Sequence, residues 1–265
     1  MKKLVFDYEM RLSFSAPVTD HRFQLRCIPS TGPRQQVIDV EVKIQPETEL
    51  ETTIDSFDSV VMTGFIPEPH DIFSYSVTGI AFVDNAHIHK EAYKPLYRFN
   101  SALTIPGPNV EAMIAVCRER LAALPSDATP VQQAAEVMDE VYKAFVYTPG
   151  STTIRTTAEA LAQRKGVCQD YAHVMLSVCR HVGLTARYIA GLLGGEGATH
   201  AWVEVYQDGR WVGLDPTHNR LVDDSYITIA HGRDYRDCML DIGIFSGYNV
   251  QQSQWVNASV HEQVA

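Results

Sequence analysis

The chain is 265 residues long, with 45% hydrophobic and 20% charged residues, and its 22 basic against 32 acidic side chains give a net charge of −10. This is a globular composition with room for one large domain or two ordinary ones. Without a basic cluster, nucleic acid and anionic membranes are not expected partners, and no apolar run is long enough to span a bilayer.

The opening Met1-Lys2-Lys3-Leu4-Val5-Phe6-Asp7 has two basic residues, but Asp7 and Glu9 cut its apolar run short. It does not read as a secretory signal, and a cytoplasmic location is expected. Stretches 4–14, 22–28, 36–44, 59–66 and 72–83 alternate or run rich in β-formers, separated by Pro, Gly, Ser or Asp clusters. In 37–44 apolar residues mostly recur every second place, which fits a strand with one wet face. Several short strands with turn signals predict a β-sandwich. His87-Ile88-His89 lacks a third partner at metal-ligand spacing, so strand-end histidines are expected there and no metal. Pro106-Gly107-Pro108 interrupts regular structure and marks the passage to a second region.

Helices follow. Val110, Met113, Ile114, Cys117 and Leu121 recur at helical spacing over 109–123, and Val131, Ala134, Val137, Met138, Val141 and Phe145 do so over 130–146. Thr129-Pro130 is a helix start, with Thr129 as N-cap, and Tyr147-Thr148-Pro149-Gly150 is a stop. Thr156 and Glu159 form an expected capping box for a short helix to about Arg164. Gly166 ends it and is expected to let the backbone turn sharply.

The next helix opens Cys168-Gln169-Asp170-Tyr171-Ala172-His173 and is apolar nearly all round, so it is expected to be buried, with Gly183 at its C′ position. A cysteine at a helix start sits among unpaired N–H groups and partial positive charge, which favour the nucleophilic thiolate. The five cysteines (Cys27, Cys117, Cys168, Cys179, Cys238) are odd in number, irregular in spacing and without a CxxC. That argues against a disulfide framework or a zinc site. The other four read as buried free thiols.

After a strand over 184–192 comes the glycine-rich segment 193–199, expected to be a mobile loop and either a lid or a plain connector. Strands 200–206 and 210–215 then flank Asp208-Gly209, a strong two-residue hairpin signal. That turn sets Tyr206 opposite Trp211, Trp202 opposite Asp215 and His200 opposite Thr217. His200, Trp202, Asp215 and Thr217 therefore share a face, and His200 and Asp215 are diagonal neighbours with backbones on the order of 7–8 Å apart. Each residue alone has an ordinary explanation: Cys168 as a small buried hydrophobe, His200 as a strand-end histidine, Asp215 as a turn residue before Pro216. In the order Cys, His, Asp, with two of them held on one face, they point to a nucleophilic site. Asp215 would orient His200, whose other ring nitrogen would stabilise the Cys168 thiolate and protonate a leaving group.

The run Gly166-Val167-Cys168-Gln169-Asp170-Tyr171-Ala172-His173, then Ala186-Arg187-Tyr188, His200-Ala201-Trp202-Val203-Glu204-Val205 and Trp211-Val212-Gly213-Leu214-Asp215-Pro216-Thr217-His218-Asn219 resembles the bacterial transglutaminase-like superfamily. The β-rich start with Pro69-His70 and the tail His231-Gly232-Arg233-Asp234-Tyr235-Arg236-Asp237 resemble it too, whereas Cys238-Met239-Leu240-Asp241 departs from its proline-containing continuation. The resemblance implies an α+β chain: an N-terminal β-sandwich over 1–105, then a papain-like core over 106–265 with helices packed on an antiparallel sheet. It implies acyl transfer at amide bonds through a thioester, to water or to an amine, with catalytic Cys168, His200 and Asp215. Tyr147 and Gln169 are candidates for binding the oxyanion. No cofactor is expected, and a calcium requirement is not carried over. A peptide or protein amide is the expected substrate, whether backbone, glutamine side chain or peptidoglycan-type. The alternative is a non-catalytic protein-binding module on the same fold; oligomeric state is open.

Overall fold

Leu4, Phe6, Tyr8, Met10, Leu12 and Phe14 fall at every second position, and every one is buried. This alternation builds the first half of a long strand, β1 (Lys2–Leu25), in the computed structural model, which describes residues 1–85, 87, 89–150 and 155–263. The two strands expected over 4–14 and 22–28 are one strand with a bend. Its pairing shifts between Ser13 and Val18, around Pro17, whose missing N–H breaks the ladder.

The rest of the β-rich region is β2 (Gln35–Gln45), β3 (Leu50–Ile54), β4 (Val60–Ile66) and β5 (His70–Val83). The first half of β1 lies beside β5, with β2 outside it. The second half pairs with β4, which carries β3. Aromatic side chains fill the fold between the halves, with Phe23 and Phe73 ring centres 4.7 Å apart. His87 and His89 both bond to the Asp84 carboxylate; Ile88 lies outside the described residues.

The second region holds α1 (Pro108–Ala122), α2 (Pro130–Ala144), the short β6 (Val146–Tyr147), α3 (Thr157–Gln163), β7 (Lys165–Gly166) and α4 (Cys168–His181). Thr129 caps α2 and Thr156 caps α3 as expected; in each, the threonine oxygen accepts from the third helical N–H and that residue's side chain reaches back. From Gln169 to Arg180 every residue of α4 is buried. Its one buried cation, Arg180, is held by carbonyls and a hydroxyl: Ala186 O at 3.0 Å, Arg233 O at 2.6 Å and Thr104 Oγ1 at 3.1 Å.

Helix α4 packs on a five-stranded sheet made of β8 (Ala186–Leu193), β10 (His200–Gln207), β11 (Arg210–Asp215), β12 (Arg220–Leu221) and β13 (Tyr226–Gly232), in the order β12-β11-β10-β8-β13. Between β8 and β10 the expected mobile loop is partly a strand: β9 (Gly195–Gly197) pairs with β15 (Gln252–Glu262). The chain thus returns to its first sheet. Strand β14 (Asp241–Ser246) starts opposite Leu25, and β15 runs beside β1 from Phe14 back to Leu4. One continuous apolar core joins both regions. A buried ion cluster reinforces the join, with Glu204 taking Arg34 at 2.8 Å and Arg187 at 2.6 Å. Among the described residues no helix is long and apolar enough to cross a membrane.

Candidate active site

Cys168 is the first residue of α4, where backbone N–H groups lack helical partners. Asp170 shapes this turn. Its carboxylate accepts from the Val167 N–H at 2.9 Å and from the Arg155 guanidinium at 2.7 Å. Gly166 serves that fold-back, not a sharp backbone turn: its φ is not positive, but a Cβ there would lie 2.7 Å from the Asp170 Cβ and Oδ2. Cys168 is part-exposed, whereas the other four cysteines are buried, and burial pushes the Cys27 thiol up to about 12 and Cys117 up to about 11. One thiol is therefore presented to solvent.

The hairpin forms in the expected register. Asp208 and Gly209 both take positive φ, and the pairs run from Gln207↔Arg210 to Val203↔Leu214. One further step sets Trp202 opposite Asp215, and His200 Nε2–H donates to Asp215 Oδ2 at 2.8 Å. That leaves Nδ1 for the sulfur. Burial opposes a charged ring at His200, but the Asp215 hydrogen bond, then the bond and charge of Cys168, outweigh it and raise its pKa to about 10. Trp202, itself buried, stacks alongside with ring centres 6.2 Å apart.

Asp215 is 0% exposed. Such a burial of a carboxylate is tolerable only with full hydrogen bonding, and five donors supply it. His200, the His218 ring at 2.7 Å and the Tyr226 hydroxyl at 2.8 Å reach Oδ2; the N–H groups of Thr217 and His218 reach Oδ1. Burial raises its pKa, but the His200 bond and charge, then His218 and Tyr226, win and hold it well below the usual carboxylate range.

Sequence reasoning missed His218 and Tyr226 as partners. The Asp-Pro-Thr-His run carried a signal for the first, since an aspartate commonly accepts from backbone N–H groups two or three residues on. Tyr226 had none: it arrives on β13 through pairing with β8, and Arg220 donates to its hydroxyl at 2.9 Å. The His200, Asp215 and His218 ligand atoms lie within 4.8 Å of one another, the one candidate metal-donor group among the described residues. Both rings already point at a single carboxylate oxygen.

Cys168 and His200 open on a groove of about 530 Å³. Tyr147 and Gln169 line it near the sulfur, and burial, then the Cys168 charge, raise the Tyr147 pKa. Tyr8 of the first sheet and Asp241 and Gln254 of the return segment also line it. The geometry supplies a thiol at a helix start, an imidazole beside it and a carboxylate holding that imidazole.

Residues 118–216, which contain all three, match the transglutaminase-like superfamily core, and residues 6–81 match the bacterial transglutaminase-like N-terminal region. The chain is 28% identical over 263 aligned residues to an uncharacterized protein of Mycobacterium leprae, covering 88% of this chain and 90% of that one. An uncharacterized Mycobacterium tuberculosis protein is 43% identical over 119 residues, 38% of each chain. The solved structure of a candidate cysteine protease from Cytophaga hutchinsonii superposes with a TM-score of 0.79 at 19% identity, over 100% of this chain and 91% of that one, which shows a shared fold.

Proposed function

The chain combines a bacterial transglutaminase-like N-terminal region with a transglutaminase-like core, and from that premise we propose that it transfers acyl groups from amide bonds through a thioester on Cys168. The observation that carries this reading is the position of His200, bonded to Asp215 on one side and raised to about 10 by Asp215 and the Cys168 sulfur together.

In this reading His200 Nδ1 takes the Cys168 proton and the thiolate attacks the amide carbonyl carbon. The carbonyl oxygen becomes an oxyanion facing the unpaired N–H groups at the start of α4, with the Gln169 amide or the Tyr147 hydroxyl beside them. Collapse breaks the C–N bond, and His200 gives its proton to the departing amine. Water or a second amine then loses a proton to His200 as it attacks the thioester, and the sulfur leaves. Asp215 stays ionised throughout and holds the ring in the Nε2–H form. Peptide or protein amides are the substrate class.

The test is an amide and glutamine-donor screen of the wild type against Cys168→Ala, alongside iodoacetamide labelling of Cys168. Product formed by the wild type alone, with rapid labelling, supports the proposal. Identical outcomes for the two proteins would favour a binding module instead.

A further inference from the structure

Among the described residues, the groove holds one charged group that the chemistry above does not use. Asp241 lines the same cavity as Cys168 and His200. It stands at the start of β14, beyond both matched segments. Its place is fixed by backbone: the preceding Leu240 carbonyl accepts from the Arg26 N–H at 2.8 Å, and Asp241 pairs with Leu25. Tyr235, nearby in the chain and lining the same groove, donates its N–H to His173 of α4 at 3.1 Å. The carboxylate is thus presented by a rigid wall.

Its partners do not match its charge. Among the described residues its side chain meets only the Gln254 amide, at 3.2 and 3.4 Å, and no basic side chain pairs with it. Burial raises its pKa, opposed by that amide alone. The buried carboxylates differ: Asp215 takes several donors and Glu204 pairs with two arginines. A partly buried carboxylate without a counter-charge is costly, and a cation from outside relieves that cost better than a neutral donor. Tyr8 and Tyr235 also line the groove, and the Asp241 charge acts on both phenols. Burial first, with the Asp241 charge after it, pushes the Tyr235 phenol up to about 12, so it stays neutral. Aromatic walls beside a carboxylate suit an ammonium group.

Building on the proposed thiol chemistry, we infer that Asp241 is a specificity-determining residue that binds a positively charged amine on the acyl-donor substrate while the scissile carbonyl sits at Cys168. The bound amine is a recognition handle, not the attacking nucleophile. A carboxylate that holds an ammonium keeps its nitrogen protonated and without a free electron pair.

The experiment compares two chloromethyl ketones that differ only in carrying lysine or norleucine, with iodoacetamide as a reference for bare thiol reactivity. Alkylation of Cys168 is followed by intact mass in the wild type, Asp241→Asn and Asp241→Lys. In the wild type the lysine reagent should react about tenfold faster or more. In the isosteric Asn variant the two reagents should react equally, with the iodoacetamide rate unchanged, and in the Lys variant the preference should reverse. Equal rates for both reagents in the wild type, or a lysine preference that survives in Asp241→Asn, with iodoacetamide labelling intact, would overturn the amine site alone. Failure of all three reagents on wild-type Cys168 would instead remove the nucleophile reading, and the amine site with it.

Discussion

Replacing Asp215 by Asn keeps the shape of the side chain and removes its charge. The pKa of His200 stands at about 10 against an ordinary 6.5, a difference worth roughly 5 kcal/mol at about 1.4 kcal/mol for each unit. Asp215 and Cys168 share that preference for the protonated ring. Burial opposes the protonated ring, so the two contributions together exceed that net figure, and loss of the Asp215 charge removes on the order of 2–3 kcal/mol of imidazolium stabilisation. The Asn amide also turns N–H groups toward three donors that now converge on Oδ2, so the ring loses its fixed tautomer. The expected result is iodoacetamide alkylation of Cys168 slowed about 10- to 100-fold near pH ~6.5, with acyl transfer slowed further, by roughly 10⁴-fold as for other triads that lose this charge. A two-dimensional NMR titration of the His200 ring should show its pKa falling in the same variant. Wild-type alkylation rates in Asp215→Asn across the pH range, with an unmoved His200 titration, would refute the reasoning.

The other predictions concern the frame around the site. Tyr226→Phe removes one of the three Oδ2 donors and should cost about 1 kcal/mol in thermal or urea unfolding with a several-fold lower turnover. Gly166→Ala places a methyl group 2.7 Å from the Asp170 side chain; it should destabilise by about 1–3 kcal/mol and slow Cys168 labelling, both measured on the same preparation. Glu204→Gln leaves Arg34 and Arg187 facing an uncharged amide inside the protein and should cost about 3–5 kcal/mol by urea denaturation. In the wild type the two arginines outweigh burial and lower the Glu204 pKa from 4.5 to about 2. Its contribution is therefore complete above about 4.5 and disappears as the pH falls from there through about 2. The Gln variant should lack that part of the acid-induced loss, and parallel pH–stability curves for the two proteins would argue against it.

Much of the site was legible because its geometry is local. Asp208-Gly209 fixes a two-residue turn, the turn fixes the register, and the register puts His200 and Asp215 on one face. The position of Cys168 follows from a helix start, also a local signal. What escaped depends on contacts distant in sequence. Tyr226 reaches Asp215 only because β13 pairs with β8, and Asp241 reaches the groove only because the chain end returns to β1. The glycines at 194, 195 and 197 read as a loop, yet Gly195–Gly197 gains a partner strand in β15 that composition does not announce. Likewise stretches 4–14 and 22–28 read as two strands, but β1 absorbs Pro17 between them as an irregularity and continues into a second set of partners.

The central claim is that an acyl group passes through the Cys168 sulfur. Mixing the protein with p-nitrophenyl acetate and recording its intact mass, followed by peptide mapping, tests this directly. The expected product is an acetyl thioester on Cys168 that forms quickly in the wild type, is absent in Cys168→Ala and forms far more slowly in His200→Ala. An unmodified Cys168 in the wild type, or equal acylation of the alanine variant at another residue, would contradict it.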